Sequence, residues 1–132
     1  MGNTIILSKN NFDQVPGFDF MVSRKRIAED FVNSIKSDNI DKIILFGSVA
    51  RNEDTDDSDI DILIVADDYF EIEPQITEGI YNAIKDYGEL ISAHVMTRKT
   101  FNKTKNYSFL SRVLEEGIPL VWSWRLYEQS IQ

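Results

Sequence analysis

The sequence predicts an α+β domain, a mixed β-sheet with helices packed on it. Three observations carry that prediction. Short β-rich runs at Lys42–Phe46, Asp59–Ala66, Glu89–Met96 and Ile118–Trp122 alternate with segments whose apolar residues recur at helical spacing. The chain has 132 residues, of which 42% are hydrophobic and 11% aromatic. That is the size and composition of one ordinary core, too apolar for a disordered chain. Finally, the first two runs are joined by a loop of about a dozen residues with no obvious helix, whereas a parallel pair needs a crossover, usually helical. Those two strands are therefore expected to pair antiparallel, in a mixed sheet.

Residues 1–19 read as a loosely attached N-terminal segment, because Asn, Asp, Pro16 and Gly17 interrupt its few apolar residues. A short strand at Thr4–Leu7 is the one element suggested there. Residues 20–132 read as a single domain, without repeats or linkers. Ser23 is a candidate N-cap, and Ile27, Ala28, Phe31, Val32 and Ile35 form one apolar stripe, so a helix is expected from Ser23 to about Ser37. Strand Lys42–Phe46 ends at Gly47. Asp59–Ala66 is the second strand. Pro74 suits the first turn of the next helix, whose apolar face is Ile76, Ile80, Ala83, Ile84 and Tyr87, with Gly88 as its stop. Glu89–Met96 follows as a strand. Thr97 caps a short helical turn through Phe101, Asn106 or Ser108 starts a helix to Glu116, and Gly117 ends it before strand Ile118–Trp122.

Composition narrows the function. The chain contains no cysteine, which removes disulfides, thiolate catalysis and cysteine-zinc sites. The longest apolar runs, Ile43–Phe46 and Ile62–Ala66, fall far short of the roughly 18 residues that a membrane span needs. No basic stretch leads into an apolar core as in a signal peptide, so the cytoplasm is the expected location. A formal net charge of −8 argues against broad nonspecific binding to nucleic acid. It leaves room for a small phosphorylated ligand, because a metal ion and a few local bases can reverse the field inside one pocket.

Three pieces within fifteen residues, 47–61, can carry chemistry: Gly47–Ser48, Arg51, and Ser58–Asp59–Ile60–Asp61. Asp59 and Asp61 are two apart on a predicted strand, so they share a face at roughly 6.5 to 7 Å between Cα atoms. Carboxylates that close repel unless a cation lies between them, and magnesium held by two carboxylates plus substrate phosphates meets that need. Past Asp61 the strand is apolar on both faces, which puts the acids at the sheet edge. Gly47 lets the backbone approach a ligand closely, and Ser48 with the next amides opens a helical turn, where free N–H groups suit a phosphate. Arg51 could fork on a phosphate oxygen or pair with the acidic loop. The acids Glu53, Asp54, Asp56 and Asp57 read as that solvated loop. Singly, a Gly–Ser after a strand is most often a turn, and a D-x-D pair most often a solvated strand end. Together they are far more specific.

These residues carry a resemblance. Phe46–Gly47–Ser48–Val49–Ala50–Arg51 followed by Ser58–Asp59–Ile60–Asp61–Ile62–Leu63–Ile64–Val65 resembles the signature of the DNA polymerase β-like nucleotidyltransferase superfamily, closest to its small stand-alone members, the minimal nucleotidyltransferases (MNT). The strong signature covers residues 45–65, and weaker likeness runs through Gly88–Ser92 and Phe109–Leu120. The resemblance implies a nucleotidyltransferase, polymerase β-like palm fold. It implies that Gly47 and Ser48, with Arg51 and Ser58, hold a nucleoside triphosphate, commonly ATP. It also implies that Asp59 and Asp61 bind Mg2+ while a hydroxyl attacks the α-phosphorus in line. A HEPN-type toxin, neutralised by this chain as its antitoxin, is the partner that the resemblance implies.

The sequence departs from that pattern at one place. Complete members carry a third carboxylate on the next core strand, which here reads Leu90–Ile91–Ser92–Ala93–His94–Val95–Met96. Alternation puts Ser92 and His94 on one face, in the expected position, with Glu89 too early. His94, the lone histidine, has an ordinary pKa of about 6.5 and could act as a base. A partly buried histidine satisfied by a neighbour is the plainer expectation. Two functions follow: transfer of a nucleoside monophosphate to a protein or small-molecule hydroxyl, or a catalytically impaired module that binds a nucleotide or a partner. A purely acidic interaction protein ranks below both. The aromatic end with Trp122, Trp124 and Tyr127 is either a core cap or an interface.

Overall fold

The computed structural model describes residues 22–122. The suggested strand Thr4–Leu7 and the residues Trp124 and Tyr127 lie outside them.

Helix α1 (Arg24–Asn33) starts where expected, with the Ser23 hydroxyl accepting from the Arg26 amide at 3.1 Å. It ends a turn early. The Ser34 hydroxyl donates to the Phe31 carbonyl at 2.6 Å, and the Ser34 amide turns back to Asp30 and Phe31. A serine bonded to its own helix competes with the next turn. Ile35 is nevertheless buried, so the apolar stripe outlasts the helix.

Strand β1 (Ile40–Phe46) runs into a short helix α2 (Gly47–Ala50), and the chain returns as β2 (Ile60–Ala66). These strands pair antiparallel, as the missing crossover helix predicts, with Phe46 opposite Asp61 and Leu45 opposite Ile62. Helix α3 (Tyr69–Tyr87) then leads to β3 (Ile91–Met96), which pairs parallel to β2 with Asp61 opposite Ser92. Helices α4 (Arg98–Thr104) and α5 (Ser108–Glu116) precede β4 (Ile118–Trp122), antiparallel to β1. The sheet order is β3-β2-β1-β4, a mixed four-stranded sheet.

Helices cover both faces. Ile43, Leu45, Ile60, Ile62 and Ile64 pack with Ile27 and Phe31 of α1 and Ile72 and Ile76 of α3. Ile44, Leu63 and Val65 pack with Phe101 of α4 and Leu110 and Val113 of α5. A strand buried on both sides has no reason to alternate, which is why β2 is apolar from Ile62 onward. Asp61 is the one polar residue in it.

Several boundaries differ from expectation. Pro74 is not in the first turn of α3 but inside it. Asp68 caps the helix instead, its carboxylate accepting from the Glu71 amide at 3.2 Å. The N–H missing at Pro74 frees only the carbonyl four residues back, at Phe70, which is 87% exposed and open to water. Asp59 and the Glu89–Leu90 pair lie just ahead of their strands, although the Ile60 amide already donates to the Leu90 carbonyl at 2.9 Å. Gly88 stops α3 in the left-handed region at φ 69°. Gly117 stops α5 with an extended backbone, and its glycine answers to space. A Cβ there would meet the Val113 carbonyl oxygen and would sit 2.6 Å from Ile44 Cγ2.

Strand β1 also buries a charge pair. The Lys42 ammonium sits 2.9 Å from Asp41 and 4.4 Å above the Trp122 ring, so Trp122 covers a core cation. Among the described residues, no helix is long and apolar enough to cross a membrane.

Candidate functional site

The site forms where β1 and β2 end together. Gly47 leaves β1 at φ 78°, a conformation that favours glycine. A Cβ at Gly47 would collide with the Asp61 carboxylate. Glycine is therefore required twice, for its backbone angle and for the acid lying against it. Val49 and Ala50 are buried and anchor α2 in the core, while Ser48 stays half-buried at its open end. The first N–H groups of a helical turn have no acceptor within it, so the turn offers donors beside Asp61.

Asp61 is half-buried, and Asp59 is exposed one residue before the strand. Burial pushes the Asp61 carboxyl above its ordinary value, and the Asp59 charge pushes the same way. His94 and Arg51 act against them. Neither carboxylate makes a hydrogen bond or ion pair among the described residues. An uncompensated pair of carboxylates, one partly desolvated, suits a hard divalent cation that completes its shell with phosphate and water. Among the described residues, no third acid or histidine joins them in a metal-binding group.

Ser92 sits beside Asp61 on the neighbouring strand, and His94 shares its face of the sheet. His94 is exposed, unlike the partly buried histidine of the plainer expectation. Its Nε2 lies 3.4 Å from the Ser92 hydroxyl, and its ring packs 5.5 Å from Phe46 and 6.2 Å from Phe109. Glu89 is committed elsewhere, 3.2 Å from Arg24.

The remaining residues singled out in the sequence have structural partners. Arg51 pairs with Glu53 of the acidic loop at 3.0 Å and with Glu116 at 3.1 Å, and it also lines a cavity beside Gly47. The Ser58 hydroxyl accepts from the Thr55 amide at 2.9 Å and closes the loop ahead of Asp59. That loop is not wholly solvated. Arg24, half-buried at the head of α1, holds Asp54 at 2.8 Å and the Asp56 carbonyl at 3.3 Å.

Sequence reasoning missed one feature. A cavity of about 420 Å³ opens between the end of β1 and α5, lined by Phe46, Gly47, Ser108, Phe109, Arg112 and Glu116 among others. The signal was present as Ser108, Arg112 and Glu116 at i, i+4 and i+8, a polar stripe along one helix face.

Comparison with known proteins agrees with this fold. The sequence profile of the nucleotidyltransferase domain matches residues 25–121. A candidate protein adenylyltransferase of Methanocaldococcus jannaschii, MJ0604, is 42% identical over 99 residues, covering 73% of this chain and 96% of its own length. Two solved toxin–antitoxin structures share the fold. One was determined with AMP-PNP and is 18% identical; the other is a mutant of the pair MntA–HpeT and is 16% identical. Each alignment covers 82% of this chain and 80% of the other at a TM-score of 0.51. The chain thus belongs to the nucleotidyltransferase domain family.

Proposed function

We propose that this chain transfers AMP from ATP, with Mg2+, to a hydroxyl of a protein or small-molecule acceptor. The observation that carries the proposal is the Asp61 carboxylate lying against Gly47 at the start of a helical turn, with Asp59 two residues before it and neither acid hydrogen-bonded or ion-paired among the described residues. The MJ0604 relative supports AMP as the transferred group and a protein as the acceptor. Gly47 and Ser48 hold the triphosphate through backbone N–H groups and the hydroxyl. Asp59 and Asp61 would hold the metal, which would offset the charge developing on the phosphates. The acceptor oxygen attacks the α-phosphorus and forms the new ester. The bond to the β-phosphate oxygen breaks, and pyrophosphate leaves. His94, exposed on the face that carries Asp61, takes the acceptor proton. Arg51 and Ser58 act on the nucleotide indirectly, by fixing the loop that carries Asp59. Residues 20–132 work as one domain in the cytoplasm, and a HEPN-type toxin is the protein acceptor that the family resemblance favours.

A second reading, a nucleotide-binding module without turnover, draws on one observation: no third carboxylate stands with Asp59 and Asp61 among the described residues. Incubation with α-phosphate-labelled ATP, Mg2+ and a HEPN-type protein separates the two. Label on the protein, lost in His94→Ala by on the order of a hundredfold, is the expected result. ATP binding with no label on any acceptor would favour the module.

A further inference from the structure

Phe109 and Arg112, which line the cavity between β1 and α5, have no part in the mechanism above. Phe109 is 48% exposed yet held in place, its ring 5.6 Å from Phe46 in an edge-on contact and 6.2 Å from His94. A half-exposed aromatic ring braced by two others offers its free area as a stacking surface. Arg112, one turn along α5 from Ser108, has no carboxylate partner among the described residues, whereas Arg51 on the same wall has two. In a chain of net charge −8, an arginine at a concave surface with no acid paired to it among the described residues points to a ligand that accepts hydrogen bonds or stacks. The volume, about 420 Å³, lies within the range of about 300–1,000 Å³ usual for small-ligand sites.

We propose that this recess receives the nucleoside of the donor nucleotide, with its base stacked on Phe109 and its polar edge met by Arg112. The inference rests on the nucleotidyltransferase reading of the site and adds to it where the base lies. Gly47 joins the two places. It lines the cavity and lies against the Asp61 carboxylate, so a triphosphate held at Gly47–Ser48 has the recess immediately beside it. The nucleoside is bonded to the α-phosphate and must lodge close to it. The acceptor is not so tethered, and the β3 flank of Asp61, where Ser92 and His94 stand, remains for it. Glu116 keeps one carboxylate oxygen on Arg51, which leaves the other able to accept from an exocyclic amine of the base.

The test measures the affinity of the full chain for ATP and for inorganic tripolyphosphate, each with Mg2+, by calorimetry. The variants are Phe109→Ala, Phe109→Leu and Arg112→Gln. Leucine keeps the packing on Phe46 and loses the stacking face, so it guards against a folding defect. Both Phe109 variants should weaken ATP on the order of tenfold, and Arg112→Gln several-fold, with tripolyphosphate unchanged. Unchanged ATP affinity would overturn the proposal, even if label transfer fell, because the recess would then serve the acceptor. An equal loss for tripolyphosphate would also overturn it, because the recess would then hold phosphates. The Asp59→Asn, Asp61→Asn double variant separates this idea from the site assignment. ATP binding that depends on Phe109 but survives the double variant would keep the nucleoside recess and remove the metal site.

Discussion

At the residue scale the decisive pair is Gly47 and Asp61. Both were legible in the sequence, because a glycine–serine ending a strand and two acids at i, i+2 opening the next are local patterns. Their contact was not legible. It depends on the antiparallel register that sets Phe46 opposite Asp61. Burial gives Asp61 a cost in stability. Burial first, and Asp59 second, raise its carboxyl above the ordinary value against the opposing His94 and Arg51 charges. A carboxyl whose folded value is raised binds its proton more tightly folded than unfolded. The metal-free protein therefore loses stability as pH climbs through that window and stays less stable above it. Asp61→Asn should raise the thermal midpoint of the metal-free protein at neutral pH, and the gain should vanish below the ordinary carboxylate range. Mg2+ with ATP should raise the wild-type midpoint and leave the variant's unmoved. A variant midpoint below the wild-type one at neutral pH would contradict this.

At the element scale, existence and type came through wherever a pattern was strong, and boundaries failed where a side chain intervened. Asp68 displaced the predicted start of α3 from Pro74, because a capping carboxylate outweighs the preference of proline for a first turn. Ser34 shortened α1 by bonding back to Phe31. Gly117 ends α5 as read, but with an extended backbone, so what the glycine itself supplies is room between α5 and β1. Gly117→Ala should therefore cost about 1–3 kcal/mol through overpacking, measured by urea unfolding. A neutral result would mean that α5 shifts to admit the methyl group. The helix α5 also shows what the sequence withheld. Phe109 and Arg112 become a recess only against Phe46 and Gly47, some sixty residues earlier in the chain, and periodicity along one helix does not name what faces it.

At the scale of the whole molecule, the mixed sheet follows from a missing crossover helix and four short apolar runs, and the match to the nucleotidyltransferase family confirms that architecture. Long-range polar contacts account for most of what was illegible. Arg24 draws together the head of α1, the loop before Asp59 and the start of β3, and the buried Lys42 sits under Trp122. Charge complementarity between distant residues leaves no periodic trace. The glycine turn and the two acids gather where β1 ends and β2 begins, and the recess shares Gly47 with them. That convergence makes nucleotide binding the central claim. Its most direct test is calorimetric titration of ATP, with and without Mg2+, into the wild-type chain and into the Asp59→Asn, Asp61→Asn double variant. Binding that needs Mg2+ and is lost in the double variant, with the fold intact by circular dichroism, is the predicted result. Equal ATP affinity in the two proteins, or no dependence on Mg2+, would contradict it.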